Sequence, residues 1–486
     1  MKKPNVLWIC TDQQRYDCLG CYGNAKLDTP NIDRLAEEGM LFRNTYCQSP
    51  VCSPSRASFL TGRYPRTCGV RQNGQRISDR EVLISKIFSD HGYTAGLAGK
   101  LHISPCHPSV SPDYEPRIDD GYRVFHWSHH PDFYGKKESN WPLNEYNMWL
   151  NDMGKAYSRV PYKGSKYVYT GMEAGLHHSH WCAKEACSFI RAHSGYENPW
   201  FFSLNFYDPH HDFDPPADLL EKYISRLGEE DLPNYREGEL ENKTYVEKRD
   251  HEGAYGTPGF FNYDEMTKED HLQIRAAYYA MIEMVDSEVG NVIRTLKESG
   301  QYEDTVIIFT SDHGEMLGDH GIYLKGPYFY DPLVKVPLII SYPGRVLSGV
   351  KRDSLVELID LAPTLLDLAG FERDAGMQGK SLSCLLTDGN APDHHRDAVY
   401  SEYYNSMGNH QDCKAYVTMA ASSRYKLVYC HSTDEAELYD LEQDQEEREN
   451  LYNRPEAAEV KVKMLETMVN LMAYTIDPLP EREAMY

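Results

Sequence analysis

The sequence predicts an α/β protein: a large, mostly parallel sheet sandwiched by helices, with a smaller C-terminal α+β domain containing an antiparallel sheet. Three observations predict it. Short apolar runs alternate with segments of helical spacing up to about residue 370, the pattern of a sheet covered on both faces. The chain has 486 residues, 41% of them hydrophobic and 26% charged, enough for a large core and a second domain. From about Gly370 the texture changes to alternating patches, Tyr416-Val417-Thr418-Met419 and Tyr425-Lys426-Leu427-Val428-Tyr429, as in antiparallel strands. The boundary is placed near 375, giving a catalytic domain over 1–375 and a C-terminal antiparallel-sheet domain over 376–486.

Taken in order, Val6 to Cys10 reads as a buried central strand. Pro30 to Glu38 reads as a helix with Thr29 as its N-cap and Gly39 as its C-cap. Asp79 to His91 has helical spacing through Val82, Ile84, Ile87 and Phe88, and Tyr93 to Ala98 is an apolar strand. Trp181 to Ala192 is a further helix, Trp200 to Phe206 a strand, and His271 to Glu298 a long amphipathic helix closed by Gly300. Thr305 to Phe309 and Val336 to Ser341 read as strands, Leu355 to Leu368 as a helix, and Ala457 to Ala473 as the last helix. Two stretches, about 103–180 and 213–270, are rich in aromatic, polar and turn residues, and long loops of that kind belong over an active site.

The net charge is −24. An acidic surface repels polyanions within a Debye length of about 8 Å, so nucleic acid is excluded as a partner, and an anionic substrate is expected to be small and held in a locally basic pocket. The opening apolar run is too short for a signal peptide, and no stretch approaches the roughly 20 apolar residues of a membrane span. The twelve cysteines show no disulfide framework. The expected location is cytoplasmic, with no membrane partner.

The most informative segment is Cys52-Ser53-Pro54-Ser55-Arg56, followed by Leu60-Thr61-Gly62-Arg63. Pro54 suits the first turn of a helix and Ser55 to Thr61 its continuation, which puts Cys52 at a helix N-terminus, where free amides favour an anion. Arg56, one turn inward, can offer a planar fork to oxyanions. Asp12 follows the first strand and Asp312-His313 the strand Thr305 to Phe309. In a parallel sheet those C-terminal strand ends meet at one edge. Lys100 and His102 follow the strand Tyr93 to Ala98 and point the same way if the segment is extended; Asp208-Pro209-His210-His211 follows the strand Trp200 to Phe206.

The C-x-P-S-R run with Leu60 to Arg63 resembles the signature of type I, formylglycine-dependent sulfatases of the alkaline phosphatase superfamily. The likeness extends from Asn5 to about Leu451, where Glu437-Leu438-Tyr439-Asp440-Leu441 and Asn450-Leu451 are similar to the family's C-terminal segment. The resemblance implies a sulfuric ester hydrolase in which a transient partner, the formylglycine-generating enzyme, oxidises Cys52. One oxygen of the resulting geminal diol attacks sulfur, and the other expels sulfate by collapse to the aldehyde. It further implies a divalent cation on Asp12, Gln13, Cys52, Asp312 and His313. Lys100, His210 and Lys325 would bind substrate, with Arg56, Lys100, His102, His210 and Lys325 catalytic beside Cys52. His211 is a rival to His210.

Gln13 stands where the family commonly has aspartate, and His313 where asparagine or histidine occurs. Two aspartates leave the site one negative charge short of a three-aspartate site, which favours an anionic substrate. Calcium is the expected ion, with manganese and magnesium as alternatives. The expected substrate is a sulfated mono- or oligosaccharide, of glycosaminoglycan origin for example, with aryl and steroid sulfates as alternatives. His129, His130, Trp141, His177, His178, His180 and Trp181 are candidates for its recognition. A phosphonate monoester or phosphodiester hydrolase is the first rival: Gln13 and His313 resemble that branch, Ser55 the sulfatases. A silent binder of sulfated ligands, with Cys52 unmodified, is the second.

Overall fold

The computed structural model describes residues 3–131, 141–407 and 414–479; residues 132–140 of the first expected loop lie outside them. The strands are β1 Asn5–Thr11, β2 Met40–Tyr46, β3 Thr94–Gly99, β4 Val124–Trp127, β5 Val160–Pro161, β6 Tyr169–Thr170, β7 Trp200–Asn205, β8 Thr305–Ser311, β9 Lys335–Ser341, β10 Val350–Glu357, β11 Ala398–Tyr404, β12 Tyr416–Ser422, β13 Tyr425–Cys430 and β14 Glu435–Asp440. Eight form one sheet in the order β10-β2-β9-β8-β1-β7-β3-β4. Its pairings are parallel except those of β9 with β2 and with β8. The expected α/β class and mostly parallel sheet are therefore what forms.

Continuous apolar runs make the central strands because both faces are covered. Val6, Trp8 and Cys10 of β1 face a core shared with Phe59, Leu60, Leu361 and Leu365. Leu7 and Ile9 face the opposite core, with Trp181, Phe189, Ile282 and Val289. Trp8 meets Phe59 with ring centroids 5.3 Å apart, which seats the helix Cys52–Thr61 on the first face. The helices His178–Ala192 and Lys268–Glu298 cover the second. The last four strands make the antiparallel sheet β11-β12-β13-β14, over which the helix Ala458–Tyr474 closes a core with Leu427, Leu438, Met464 and Met468. No helix among the described residues is long and apolar enough to cross a membrane.

Three local expectations are corrected. The helix expected over 79–91 spans only Ile84–Asp90, because Leu83 is extended and Val82 turns outward to 41% exposure. The helix expected over 355–368 is split: Leu355–Glu357 belong to β10, paired with β2, and the helix begins at Leu361. The apolar spacing there suits either state, and the edge of the sheet takes the first half. Gly39 ends its helix in an extended conformation, not as a left-handed cap. Its need for glycine is steric: a Cβ would sit 2.6 Å from the Ile340 carbonyl oxygen.

Candidate active site

The neighbouring order β8-β1-β7-β3 lines up four C-terminal strand ends. The register pairs Thr11 with Ser311, so Asp12 and Asp312 leave parallel strands at the same height. The Gln13 amide donates to Asp312 Oδ1 at 3.0 Å and the Asp12 amide to the Asp208 carbonyl at 3.3 Å, which ties the first three ends together. The fourth joins through Asn205, whose Nδ2 donates to the Lys100 carbonyl at 2.8 Å.

The helix Cys52–Thr61 enters beside these ends with all ten residues buried. Cys52 is its first residue and Val51, extended, its N-cap. Ser55 Oγ donates to the Asp312 carbonyl at 2.6 Å, locking the first turn to β8. The Arg56 fork is directed at the protein itself: Nε reaches Asp312 Oδ2 at 2.8 Å, Nη1 the Lys100 carbonyl at 3.0 Å and Nη2 Asp12 Oδ2 at 3.4 Å. Two of these bonds hold the site's carboxylates and the third a backbone carbonyl, whereas the sequence suggested a fork offered to a substrate oxyanion.

Cys52 Sγ stands 3.7 Å from Asp12 Oδ1, 3.2 Å from His313 Nε2 and 2.9 Å from Lys325 Nζ. Burial and Asp12 push the thiol's pKa up, but Lys100, Lys325 and His313 together outweigh them and bring it below the usual value. Burial would likewise raise Asp12, yet Lys100, whose ammonium bonds its Oδ2, and Arg56 hold it far below the carboxylate range.

Lys325 Nζ also contacts Gln13 Oε1 at 2.8 Å and His210 Nε2 at 3.0 Å. Burial and then Lys325 keep His210 well below the ordinary histidine pKa, and its Nδ1 lies 2.7 Å from the Tyr207 hydroxyl and against the His211 carbonyl. The neutral tautomer with the proton on Nδ1 leaves the Nε2 lone pair facing Lys325. His211 stacks on His210 at 4.1 Å and places its Nδ1 3.5 Å from Gln13 Nε2.

The extended segment expected at Lys100 and His102 does not form. Gly99 has φ +100 and His102 φ +56, so the segment is not extended. At Gly99 a Cβ would fall 1.9 Å from the Asn205 carbonyl oxygen, so only glycine brings β3 this close to β7 and turns Lys100 onto Asp12. His102 goes instead against His129, ring centroids 4.4 Å apart, and its amide donates to Glu115 Oε2 at 2.7 Å.

One ligand atom from each of Asp12, Cys52, Asp312 and His313 lies within 4.8 Å of the others. The donor set suits a divalent cation. Each carboxylate has its Oδ2 held by Arg56, and Nδ1 of His313 bonds the Gly314 carbonyl at 2.9 Å, which aims Nε2 inward. Gln13 sits beside this group with its amide between Lys325 and Glu315.

Three acids that sequence reasoning missed hold the frame. Glu315 accepts from the Leu317 amide at 2.9 Å and the Leu324 amide at 2.5 Å, which folds the 317–324 loop and delivers Lys325. Glu115 accepts from the His102 and Ile103 amides and from Trp127 Nε1. Asp208 bonds Ser179 Oγ behind the His210 loop, and burial raises its pKa to about 7. Glu315, directly after Asp312-His313-Gly314, and Asp208, directly before Pro209-His210, had a signal in their place; Glu115 had none.

The recognition candidates divide. His129 and Trp141 meet at 5.8 Å beside His102, and His130 packs on Tyr207 at 4.7 Å. His178 and Trp181 belong to the packing around Tyr146, His177 caps its helix through the Ser179 amide, and His180 pairs with Glu288 Oε1 at 2.9 Å.

The family model described as sulfatase matches residues 4–371, and that of the N-sulphoglucosamine sulphohydrolase C-terminal region matches 318–474. The chain is 32% identical to an arylsulfatase of Clostridium perfringens over 468 residues, covering 94% of this chain and 92% of that one. It is 24% identical to the N-acetylglucosamine-6-O-sulfatase of Bacteroides thetaiotaomicron, covering 96% and 86%. Among solved structures, the phosphonate monoester hydrolase of Agrobacterium radiobacter superposes with a TM-score of 0.81 at 28% identity, covering 98% of this chain and 97% of that one. With its four aligned strand ends and this coverage, the chain belongs to the sulfatase family of the alkaline phosphatase superfamily, as a sulfuric ester hydrolase.

Proposed function

We propose that this sulfatase removes sulfate from a small sulfated mono- or oligosaccharide of the kind released from glycosaminoglycans, acting in the cytoplasm after a maturation enzyme has converted Cys52 to formylglycine. The observation that carries the reading is the convergence of Asp12, His313 and Lys325 on Cys52 Sγ, all within 3.7 Å. The partly buried rings of His129 and His130, packed on His102 and Tyr207, and the N-acetylglucosamine-6-O-sulfatase relative support a sugar, while Trp141 is buried.

Asp12, Cys52, Asp312 and His313 would hold the cation, calcium by preference, with Gln13 adjoining; when bound it supplies positive charge to the sulfuryl oxygens. Formylglycine at position 52 supplies a diol, one oxygen for attack and the other for expelling sulfate. The chain's own groups do the rest. Arg56 fixes both carboxylates, and Lys100 and Lys325 add positive charge where the sulfuryl group binds. Lys325 gives its proton to the departing alcohol oxygen, since His210 presents a lone pair at Nε2 and accepts from it. His102, neutral through burial and the charge of Lys100, takes the proton whose loss releases sulfate.

The test is sulfate release by matured protein across defined sulfated sugars. Turnover by the Cys52→Ala chain, or no turnover of any sulfated sugar, would sink the proposal. Peptide mass separates the silent-binder reading: formylglycine differs from cysteine by loss of one sulfur and two hydrogens and gain of one oxygen. The amide of Gln13 against Lys325 and the Agrobacterium neighbour favour a second reading, phosphonate monoester hydrolysis. Parallel rates on an aryl sulfate and an aryl phosphonate decide between them.

A further inference from the structure

Beside the reaction centre, His102, Cys106 and His129 each offer a ligand atom, and these lie within 4.8 Å of one another. Both imidazoles carry a buried Nδ1 without a hydrogen-bond partner, and His102 is only 7% exposed. Buried polar atoms are normally bonded, and two orphaned ring nitrogens on histidines that cluster with one thiol are a specific exception. We propose that His102, Cys106 and His129 form a second metal site, for a borderline-soft divalent ion of the zinc class, which shares His102 with the sulfatase centre and so makes zinc a reversible inhibitor.

The chemistry selects the ion. Two imidazole nitrogens and a sulfur suit zinc and disfavour calcium, which takes oxygen ligands. Zinc bonds of about 2.1 Å to nitrogen and 2.3 Å to sulfur put tetrahedral ligand atoms about 3.5 Å apart, so modest side-chain rotation closes the group. Burial keeps both imidazoles neutral, with lone pairs available. The thiol must lose its proton to bind; burial and then Glu115, 3.5 Å from Cys106 Sγ, push its pKa well up, so the ion has to displace that proton to solvent and zinc binding should strengthen as pH rises. Glu115 also holds the His102 and Ile103 amides, so the loop bearing two of the ligands is already folded. A sugar sulfate would find hydrogen-bonding partners in the two histidines but has no use for the thiol. The inhibitory consequence rests on the catalytic reading of His102; the binding does not.

The binding test uses the full Cys52→Ala chain with calcium present, so that no thiolate at position 52 contributes. Titrated cobalt(II) is expected to give a thiolate-to-metal charge-transfer band, displaced by one equivalent of zinc and not by excess calcium. In the Cys52→Ala/Cys106→Ser chain the band should be lost and zinc bound at least about tenfold more weakly. His129→Gln in the Cys52→Ala chain should weaken zinc comparably and keep the proposal testable if the serine variant folds poorly. Absence of the band, its survival after Cys106→Ser, or displacement by calcium overturns the site. In matured protein, Cys106→Ser should keep the zinc-free rate and lose at least about tenfold of its zinc sensitivity. Equal sensitivity in both proteins overturns the inhibitory role alone.

Discussion

The ammonium of Lys325 stands 2.9 Å from the Cys52 sulfur, and the same nitrogen reaches His210 Nε2 at 3.0 Å. On the proposed reading, one lysine spans the position of attack and the position of departure. Lys325→Ala should lower kcat on a sugar sulfate by about 10²- to 10⁴-fold, the usual worth of a positioned proton donor. The loss should shrink for a nitrophenyl sulfate, whose leaving group needs no proton. Steady-state kinetics on both substrates check it; equal losses would show that Lys325 only binds charge.

Gln13→Asp should tighten calcium and raise KM for an anionic substrate, by adding a negative charge at the pocket. It should also lower Tm, because Gln13 Nε2 now donates to Glu315, which is fully buried with its pKa already raised by burial. A carboxylate there would face another carboxylate. Calorimetric calcium titration and thermal melts read both effects.

Calcium at a hundred times its Kd should stabilise the fold by about 2.7 kcal/mol, and chelation should remove that increment together with activity. In Asp12→Asn the calcium-dependent Tm shift should largely vanish, while Lys100 and Arg56, left without their anionic partner, lower the baseline Tm. A calcium shift undiminished in Asp12→Asn would place the ion elsewhere.

Asp214 accepts from the Tyr157 hydroxyl, and burial raises its pKa to about 7, with His177 opposing. A carboxyl whose folded pKa exceeds its unfolded value binds more protons when folded between about pH 4 and 7, so its contribution to stability falls as pH rises through that window. Asp214→Asn removes this titration. Relative to the parent, its Tm should be higher near pH 7.5 than near pH 4.5, and a pH-independent difference would refute the assignment.

Much of the fold was legible because fully buried strands are written as unbroken apolar runs, as in Val6-Leu7-Trp8-Ile9-Cys10. The edge strand β10 was not: Leu355, Val356, Leu358 and Ile359 suit a helix as well as a strand, and only pairing with β2 decides. In the candidate site, Asp12, Asp312, Cys52, Lys100 and Lys325 were legible as chemistry placed after strands or at a helix start. The backbone at His102 was not, because a left-handed residue interrupts the extended segment that the sequence suggested. Nor were the bonds of Glu115 and Asp208, which depend on amides and hydroxyls that arrive only with the tertiary structure.

The enclosure of the helix Cys52–Thr61 has a consequence for timing. With every residue of that helix buried and Cys52 1% exposed, no second enzyme can grip the segment once the domain has closed. On the proposed reading, oxidation of Cys52 would therefore belong to the nascent chain, and a molecule that folded first would remain a thiol.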